Sequence, residues 1–138
     1  MESIILRLPW PPSVNSYKTI GRLVKTKSGK YYQQRRNSKE TLAFYYLAYT
    51  QAKAQMPREA LTFSADATIR VELTACLSPP LKTAVKRWDL DNRAKVLIDG
   101  LMHAKILKDD SQIHKLTLEK MKPCEQGLVV VEIKAMDG

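Results

Sequence analysis

Two segments of the chain alternate between apolar and polar residues, the pattern of a strand with one buried face. The first covers residues 4–8 and ends at Pro9, which cannot donate a hydrogen bond to a neighbouring strand. The second runs from Ile69 to Leu77, with an apolar residue at every second position. We therefore predict a short N-terminal strand and a longer, half-buried strand near the middle of the chain.

Two other segments repeat their apolar residues with helical spacing. Asn37 with Glu40 forms a capping-box-like pair, and Pro57 disfavours helical geometry beyond about residue 55, so a helix is predicted between them. Its predicted apolar stripe consists of Leu42, Tyr45, Tyr46 and Tyr49, widened by Phe44 and Leu47. A second helix is predicted over residues 92–105. Its apolar face consists of Ala94, Leu97, Ile98, Leu101 and Met102.

The remaining segments complete the predicted fold. Residues 113–121 and 128–133 have strand-like composition, and the turn residues between them predict a hairpin. Residues 13–36 are polar, without a sustained period, and are predicted to be a long loop. The order β-loop-α-β-α-β-β predicts one α+β domain over residues 1–138, with a mixed or antiparallel sheet of about four strands packed against two main helices.

Charge is distributed unevenly along the chain. The net charge is +9, from 23 Lys and Arg against 14 Asp and Glu, and residues 1–60 carry nearly all of the excess. One segment contains eight cations and no anion: Lys18, Arg22, Lys25, Lys27, Lys30, Arg35, Arg36 and Lys39. Tyr17, Tyr31 and Tyr32 lie among them, a mixture suited to phosphates and bases of nucleic acid. A solvated basic loop is the alternative.

Several classes of protein are excluded by composition. The longest apolar run, residues 42–49, is far shorter than the roughly 20 residues that span a bilayer, and residues 1–20 do not resemble a signal peptide. Cys76 and Cys124 are too few for a disulfide framework or a zinc site. We expect a soluble, cytoplasmic protein with free thiols and no membrane partner.

The candidate chemistry lies in Asp89-Leu90-Asp91-Asn92. In an extended backbone, residues two apart point to the same face, so both carboxylates would converge on one side. Two convergent carboxylates repel each other unless a cation lies between them. Hard oxygen ligands suit Mg²⁺ or Mn²⁺, and both ions also accept phosphate oxygens.

A lysine follows one helical turn after this pair. Asp91, Lys95 and Asp99 are spaced four residues apart, which places them along one stripe of the second helix. The Lys95 ammonium can neutralise charge on a phosphate held by the metal, or it can form a solvated ion pair with an aspartate. The spacing alone leaves both interpretations open.

Two further features extend the acidic pair. Asp109 and Asp110 follow the second helix, and adjacent residues of an extended segment point in opposite directions, so one of them is expected to reach the metal. A turn or capping role is the alternative. Trp88, preceded by Lys86 and Arg87, can stack on a base or pack beside the site. An acidic cluster within a basic protein suggests metal-dependent cleavage of a phosphodiester.

These motifs together resemble the RusA family of Holliday-junction resolvases. They are Leu8-Pro9-Trp10-Pro11-Pro12-Ser13 with Asn15 and Tyr17, Asp89-Leu90-Asp91-Asn92 with Lys95 and Asp99, and Leu107 with Asp109-Asp110. The resemblance implies a homodimeric, Mg²⁺- or Mn²⁺-dependent endonuclease of bacterial or phage origin, without a small-molecule cofactor, that makes paired nicks across four-way DNA junctions.

The resemblance also implies roles for individual residues. Asp89, Asp91 and Asp110 match the metal-site carboxylates, and Lys95 matches the catalytic lysine. The pattern of cations and aromatic residues, rather than the resemblance, predicts the surface that binds DNA: Lys18, Lys25, Lys27, Lys30, Arg35, Arg36, Lys86, Arg87 and Trp88. Two rival functions stay open at this point: a nuclease acting on other branched DNA, and a basic DNA-binding protein without catalytic activity.

Overall fold

The computed structural model describes residues 3–13, 18–56, 63–84 and 87–136, and within them three strands precede the first helix and two strands follow the last. Strands β1 to β6 are Ser3–Leu8, Lys18–Lys25, Tyr31–Asn37, Val71–Ser78, Ile113–Lys120 and Leu128–Ala135. Helices α1 to α3 are Lys39–Gln55, Leu81–Ala84 and Leu90–His103. The α+β class is confirmed, and so are the central alternating strand and the end of the first helix at Gln55.

The main sheet has four strands in the order β1-β6-β4-β5. β4 pairs antiparallel with β6 and parallel with β5, and β1 pairs antiparallel with β6. The predicted hairpin between the last two strands is therefore wrong, because β4 lies between them. β4 takes the central place because its alternate residues Val71, Leu73, Ala75 and Leu77 are fully buried. The α3 crossover then brings β5 alongside β4 in parallel.

Helix α1 packs on β1 and α3 with a different face from the predicted one. Its buried residues are Thr41, Phe44, Tyr45, Ala48 and Ala52. Of the predicted stripe only Tyr45 is buried, while Leu42, Tyr46 and Tyr49 are about half exposed or more. The small residues Ala48 and Ala52 allow close approach to the core, whereas the outer tyrosines keep their hydroxyls in water.

The start of α1 also differs from the prediction by one residue. Asn37 still pairs with Lys18 at the end of β3, so it cannot begin the helix. Ser38 is the N-cap instead, and its hydroxyl oxygen accepts a hydrogen bond from the Thr41 amide at 3.2 Å. Asn37 and Ser38 are both capping residue types, so only the extent of β3 decided between them.

Residues 18–37 form a hairpin where a long loop was predicted. β2 and β3 pair antiparallel as a separate two-stranded sheet. A turn at Ser28-Gly29 closes it, with Thr26 N donating to Lys30 O at 2.7 Å and Gly29 in the left-handed region at φ 86°. Leu23 and Tyr31 are about 60% exposed, so these two positions do not show the burial that makes a strand visible in a sequence.

Two expectations about the kind of protein can be compared with the structure. Cys76 and Cys124 are free thiols, each partly buried. In the part of the chain that the structure describes, no helix is long and apolar enough to cross a membrane.

Candidate active site

The first acidic pair lies at the N-terminus of α3. The helix begins at Leu90, two residues earlier than predicted, with Asp89 as its extended N-cap residue and Asp91 in its first turn. The predicted extended run through Asp91 is therefore wrong, because Leu90 and Asp91 are helical. Asn92 connects the two carboxylates. Its side-chain Nδ2 donates to Asp89 Oδ2 at 3.3 Å, and its backbone N donates to Asp91 Oδ1 at 3.0 Å. The positive end of the helix dipole favours both charges.

A cleft of about 370 Å³ lies between α3 and the start of β5. Its charged lining residues are Lys95 and Asp99 from α3 and Asp110 from the turn before β5. The structure thus brings together Lys95 and Asp110, which are predicted site residues from separate elements. It adds Asp99, whose place on the Asp91-Lys95-Asp99 stripe was visible in the sequence although its role was not.

The two adjacent aspartates before β5 have different surroundings. Asp109 caps the short 3₁₀ turn Asp110–Gln112, and its Oδ1 accepts a hydrogen bond from the Ser111 amide at 3.0 Å. This bond and others hold the pKa of Asp109 below its ordinary value. The hydrogen bond with Asp109, slight burial, and the charges of Asp109 and Asp99 raise the pKa of Asp110. Asp109 therefore has the capping role and Asp110 faces the cleft.

Asp89 opens onto a second, smaller pocket. This pocket has a volume of about 180 Å³ and is lined by Ser13, Arg87, Trp88, Asp89, Asn92 and Arg93. Trp88 is half-buried, with its ring centroid 5.1 Å from that of Trp10 in an edge-to-face arrangement. Lys120 lies over the same ring, with Nζ 4.4 Å from the centroid, and donates to the Trp88 carbonyl at 2.7 Å.

Comparison with known families assigns the chain. It matches the family model for Endodeoxyribonuclease RusA over residues 9–134 of its 138. The chain belongs to the RusA family. The match includes the N-terminal Pro-Trp-Pro-Pro segment, α3 and the turn that carries Asp110. Comparison with curated protein sequences found no match. RusA membership confirms the predicted family of Holliday-junction resolvases and identifies the chain as an endodeoxyribonuclease.

The acidic residues of this RusA member carry the type of ligand atom that a hard cation prefers. The described residues do not group these atoms into a closed set of ligands. Carboxylate oxygens are the preferred ligands of Mg²⁺ and Mn²⁺. Among the residues described, no three His, Cys, Asp or Glu side chains are grouped so that they could hold a metal ion. Asp99 and Asp110 face the cleft, whereas Asp89 faces the neighbouring pocket. Mg²⁺ is often bound through one or two carboxylates and retains several water ligands, so binding it does not require a closed set of protein ligands.

The predicted DNA-binding residues occupy two regions. Lys25, Lys27 and Lys30 are exposed around the hairpin turn, and Arg87 is exposed at the smaller pocket. The backbones of Lys18, Arg35 and Arg36 lie in β2 and β3, but their side chains are outside the described part of the structure. Lys86 lies outside the described residues altogether.

Gln112 is a buried residue that sequence reasoning missed. It is 1% exposed and makes five hydrogen bonds with backbone groups. Its Nε2 donates to the carbonyl oxygens of Phe63 and Ile69 at 2.8 and 3.0 Å. Its Oε1 accepts from the amides of Lys108 and Asp109 at 2.8 and 3.0 Å. Gln112 thereby anchors the turn that presents Asp110, and only the tertiary contacts show this.

We expect Gln112→Leu to lower the free energy of unfolding by about 2–4 kcal/mol, because it leaves several buried backbone groups without partners. Urea unfolding followed by circular dichroism measures the loss. Gln126→Leu is the matched control at an exposed position, with an expected change within about 0.5 kcal/mol. Equal stability of the two variants would contradict an anchoring role for Gln112.

Proposed function

We propose that this protein is a divalent-metal-dependent endonuclease that resolves four-way DNA junctions by paired, symmetric nicks. The main support is the cleft in which Lys95 from α3 and Asp110 from the turn before β5 meet, close along α3 to the Asp89-Asp91 pair. A homodimer with two-fold symmetry would present two identical sites to the two equivalent strands of a junction. Its role would be recombination and repair of host or phage DNA in the bacterial cytoplasm.

Four residues carry the proposed chemistry. Asp89, Asp91 and Asp110 would hold Mg²⁺ or Mn²⁺, and the bound ion would activate water and offset negative charge on the phosphate. Lys95 is exposed at the cleft, where its ammonium would contact a phosphate oxygen. Asn92 would keep the first two carboxylates oriented through its bonds to both. We propose no small-molecule cofactor.

The hairpin would supply much of the DNA-binding surface. Its turn is ordered by the bond between Thr26 and Lys30, and exposed Lys25 lies with Nζ 5.8 Å from the Tyr31 ring centroid. A two-stranded ribbon fits the major groove of a duplex arm, where lysines contact phosphates. The full proposed surface is Lys18, Lys25, Lys27, Lys30, Arg35, Arg36, Lys86, Arg87 and Trp88.

A substrate panel tests the function. Purified protein is incubated in Mg²⁺ with a synthetic four-way junction, a flap and a linear duplex of the same sequence, with EDTA as the metal-free control. We expect two symmetric nicks in the junction, no cleavage in EDTA, and little cleavage of duplex. Equal cleavage of the flap would favour a nuclease for branched DNA in general. Junction binding without nicking would leave a DNA-binding protein.

Neutralising the hairpin turn should flatten the salt dependence of binding. Each lost phosphate contact lowers the slope of log affinity against log salt by about 0.9, so Lys25→Gln, Lys27→Gln and Lys30→Gln together should reduce it by up to about 2.7. Fluorescence anisotropy of a labelled junction between about 50 and 300 mM salt measures the slope. The control carries the same loss of charge elsewhere, at the exposed residues Lys53, Lys122 and Lys134. Equal slopes for both triple variants would support a merely solvated ribbon.

A further inference from the structure

The smaller pocket is lined by two arginines, the carboxylate of Asp89 and two neutral polar side chains. Arg87 and Arg93 supply positive charge, and Ser13 and Asn92 supply neutral donor groups. The ion pair recorded among the described residues joins Lys115 to Glu72, so within that part of the chain neither arginine has a carboxylate at salt-bridge distance. Two arginines against one carboxylate leave the pocket with a net positive charge.

Arg93 is held in one orientation by the N-terminal Pro-Trp-Pro-Pro segment. Its Nη1 donates to the Pro11 carbonyl at 2.7 Å, and its guanidinium carbon lies 5.2 Å from the Trp10 ring centroid. Trp10 packs in turn on Trp88. A guanidinium fixed in this way loses little conformational freedom on binding, and its planar donors match the oxygens of a phosphate.

Packing from the loop after β5 explains why the Trp10 segment lies where it does. Gly127 has φ 81°, and a Cβ there would lie 2.8 Å from both Trp10 Cβ and a ring carbon of Pro80. Only glycine allows the loop to lie so close to the segment that orients Arg93. The N-terminal segment, packed closely against Gly127, thereby fixes the position of Arg93 in the pocket at the start of α3.

Arg93 carries the cost of partial burial without full compensation. Its Nε is buried and has no hydrogen-bond partner among the described residues. Burial lowers the pKa of Arg93 from its ordinary value, although an arginine remains charged at neutral pH. A charge that is partly removed from water is normally paired, so an anion in the pocket would offset the charge of the guanidinium.

We propose that this pocket binds a phosphate of the DNA backbone adjacent to the phosphate that is cut, and that Arg93 is its positioning residue. The inference rests on the proposed function and adds a second contact on the cleaved strand. The scissile phosphate would lie at the Lys95 cleft and its neighbour at Arg93, with Asp89 between the two. Two fixed phosphates would set the register of the strand at the metal site.

The test combines protein variants with junctions in which one phosphate is neutral. A series of four-way junctions carries a single methylphosphonate at successive positions around the nick, and affinity is measured in Ca²⁺ to prevent cleavage. We expect wild-type protein to lose about 10-fold in affinity at one position next to the nick. Arg93→Gln should bind the unmodified junction about 10-fold more weakly, with no further loss at that position. Arg7→Gln, an exposed arginine on β1, is the control and should keep the wild-type profile.

Arg87→Gln is the second variant, because Arg93 also supports the N-terminal segment and Arg93→Gln could unfold the protein. Arg87 is exposed at the pocket, so its loss should reduce the methylphosphonate effect without changing the melting temperature. The inference is overturned if Arg93→Gln folds but keeps the wild-type profile. It is also overturned if Arg93→Gln unfolds and Arg87→Gln keeps that profile. If wild-type protein neither binds nor nicks the junction, the proposed function is overturned instead.

Discussion

Asp89→Asn and Asp91→Asn should each abolish junction nicking, with a loss on the order of 10³-fold or more in rate, while junction binding in metal-free buffer stays close to wild type. Asparagine keeps the size of the side chain but removes the charge that attracts a divalent cation. Neither change alters the hairpin, which is proposed to supply much of the positive charge that binds DNA. Single-turnover nicking in Mg²⁺ and anisotropy in EDTA measure the two quantities.

Asp66→Asn is the matched control for both variants. Asp66 is exposed in the segment before β4, and its Oδ1 accepts a hydrogen bond from the Thr68 amide at 2.9 Å. An asparagine oxygen can accept the same bond, so the same chemical change there should leave nicking unaffected. Near-normal nicking by either Asp89→Asn or Asp91→Asn would remove that residue from the metal site. Loss of binding together with loss of nicking would indicate that the residue acts on DNA affinity rather than on the reaction.

Lys95→Ala should lower the nicking rate by on the order of 10²–10³-fold and should weaken junction binding far less. Lys95 lines the cleft with Asp110, so its ammonium can meet negative charge that develops on the phosphate during cleavage. A fixed cation at that place stabilises the transition state more than the bound substrate. Single-turnover nicking at saturating protein isolates this effect, because binding then no longer limits the rate.

The ion-pair interpretation of Lys95 predicts a different result. A solvated pair on a helix surface contributes about 0.5 kcal/mol to stability, so Lys95→Ala would unfold slightly more easily and nick at the normal rate. Lys95→Arg separates charge from shape, since a planar guanidinium replaces a compact ammonium poorly in a confined site. Partial recovery by arginine would show that the position needs a cation for the reaction.

Local pattern predicted most of the regular structure. Alternation from Ile69 to Leu77 identified β4, because its buried face repeats at the period of a strand. Leu97 and Leu101 identified α3, because its buried face repeats at the spacing of a helix. The pattern failed on the ribbon of β2 and β3, where the large side chains of Leu23 and Tyr31 are exposed. It also misplaced the buried face of α1, since tyrosine suits both a core and a wet surface.

The sequence by itself determined the family and the residue types of the candidate site, because the Asp89-Leu90-Asp91-Asn92 motif and Lys95 lie within seven consecutive residues. Only the tertiary structure decided that β4 separates β5 from β6 and that Asp110 faces the cleft while Asp109 caps a turn. It also placed Gln112 and Arg93 in hydrogen bonds to backbone carbonyl groups that are distant in the sequence. Such contacts depend on how separate elements pack, and packing leaves no period in the sequence.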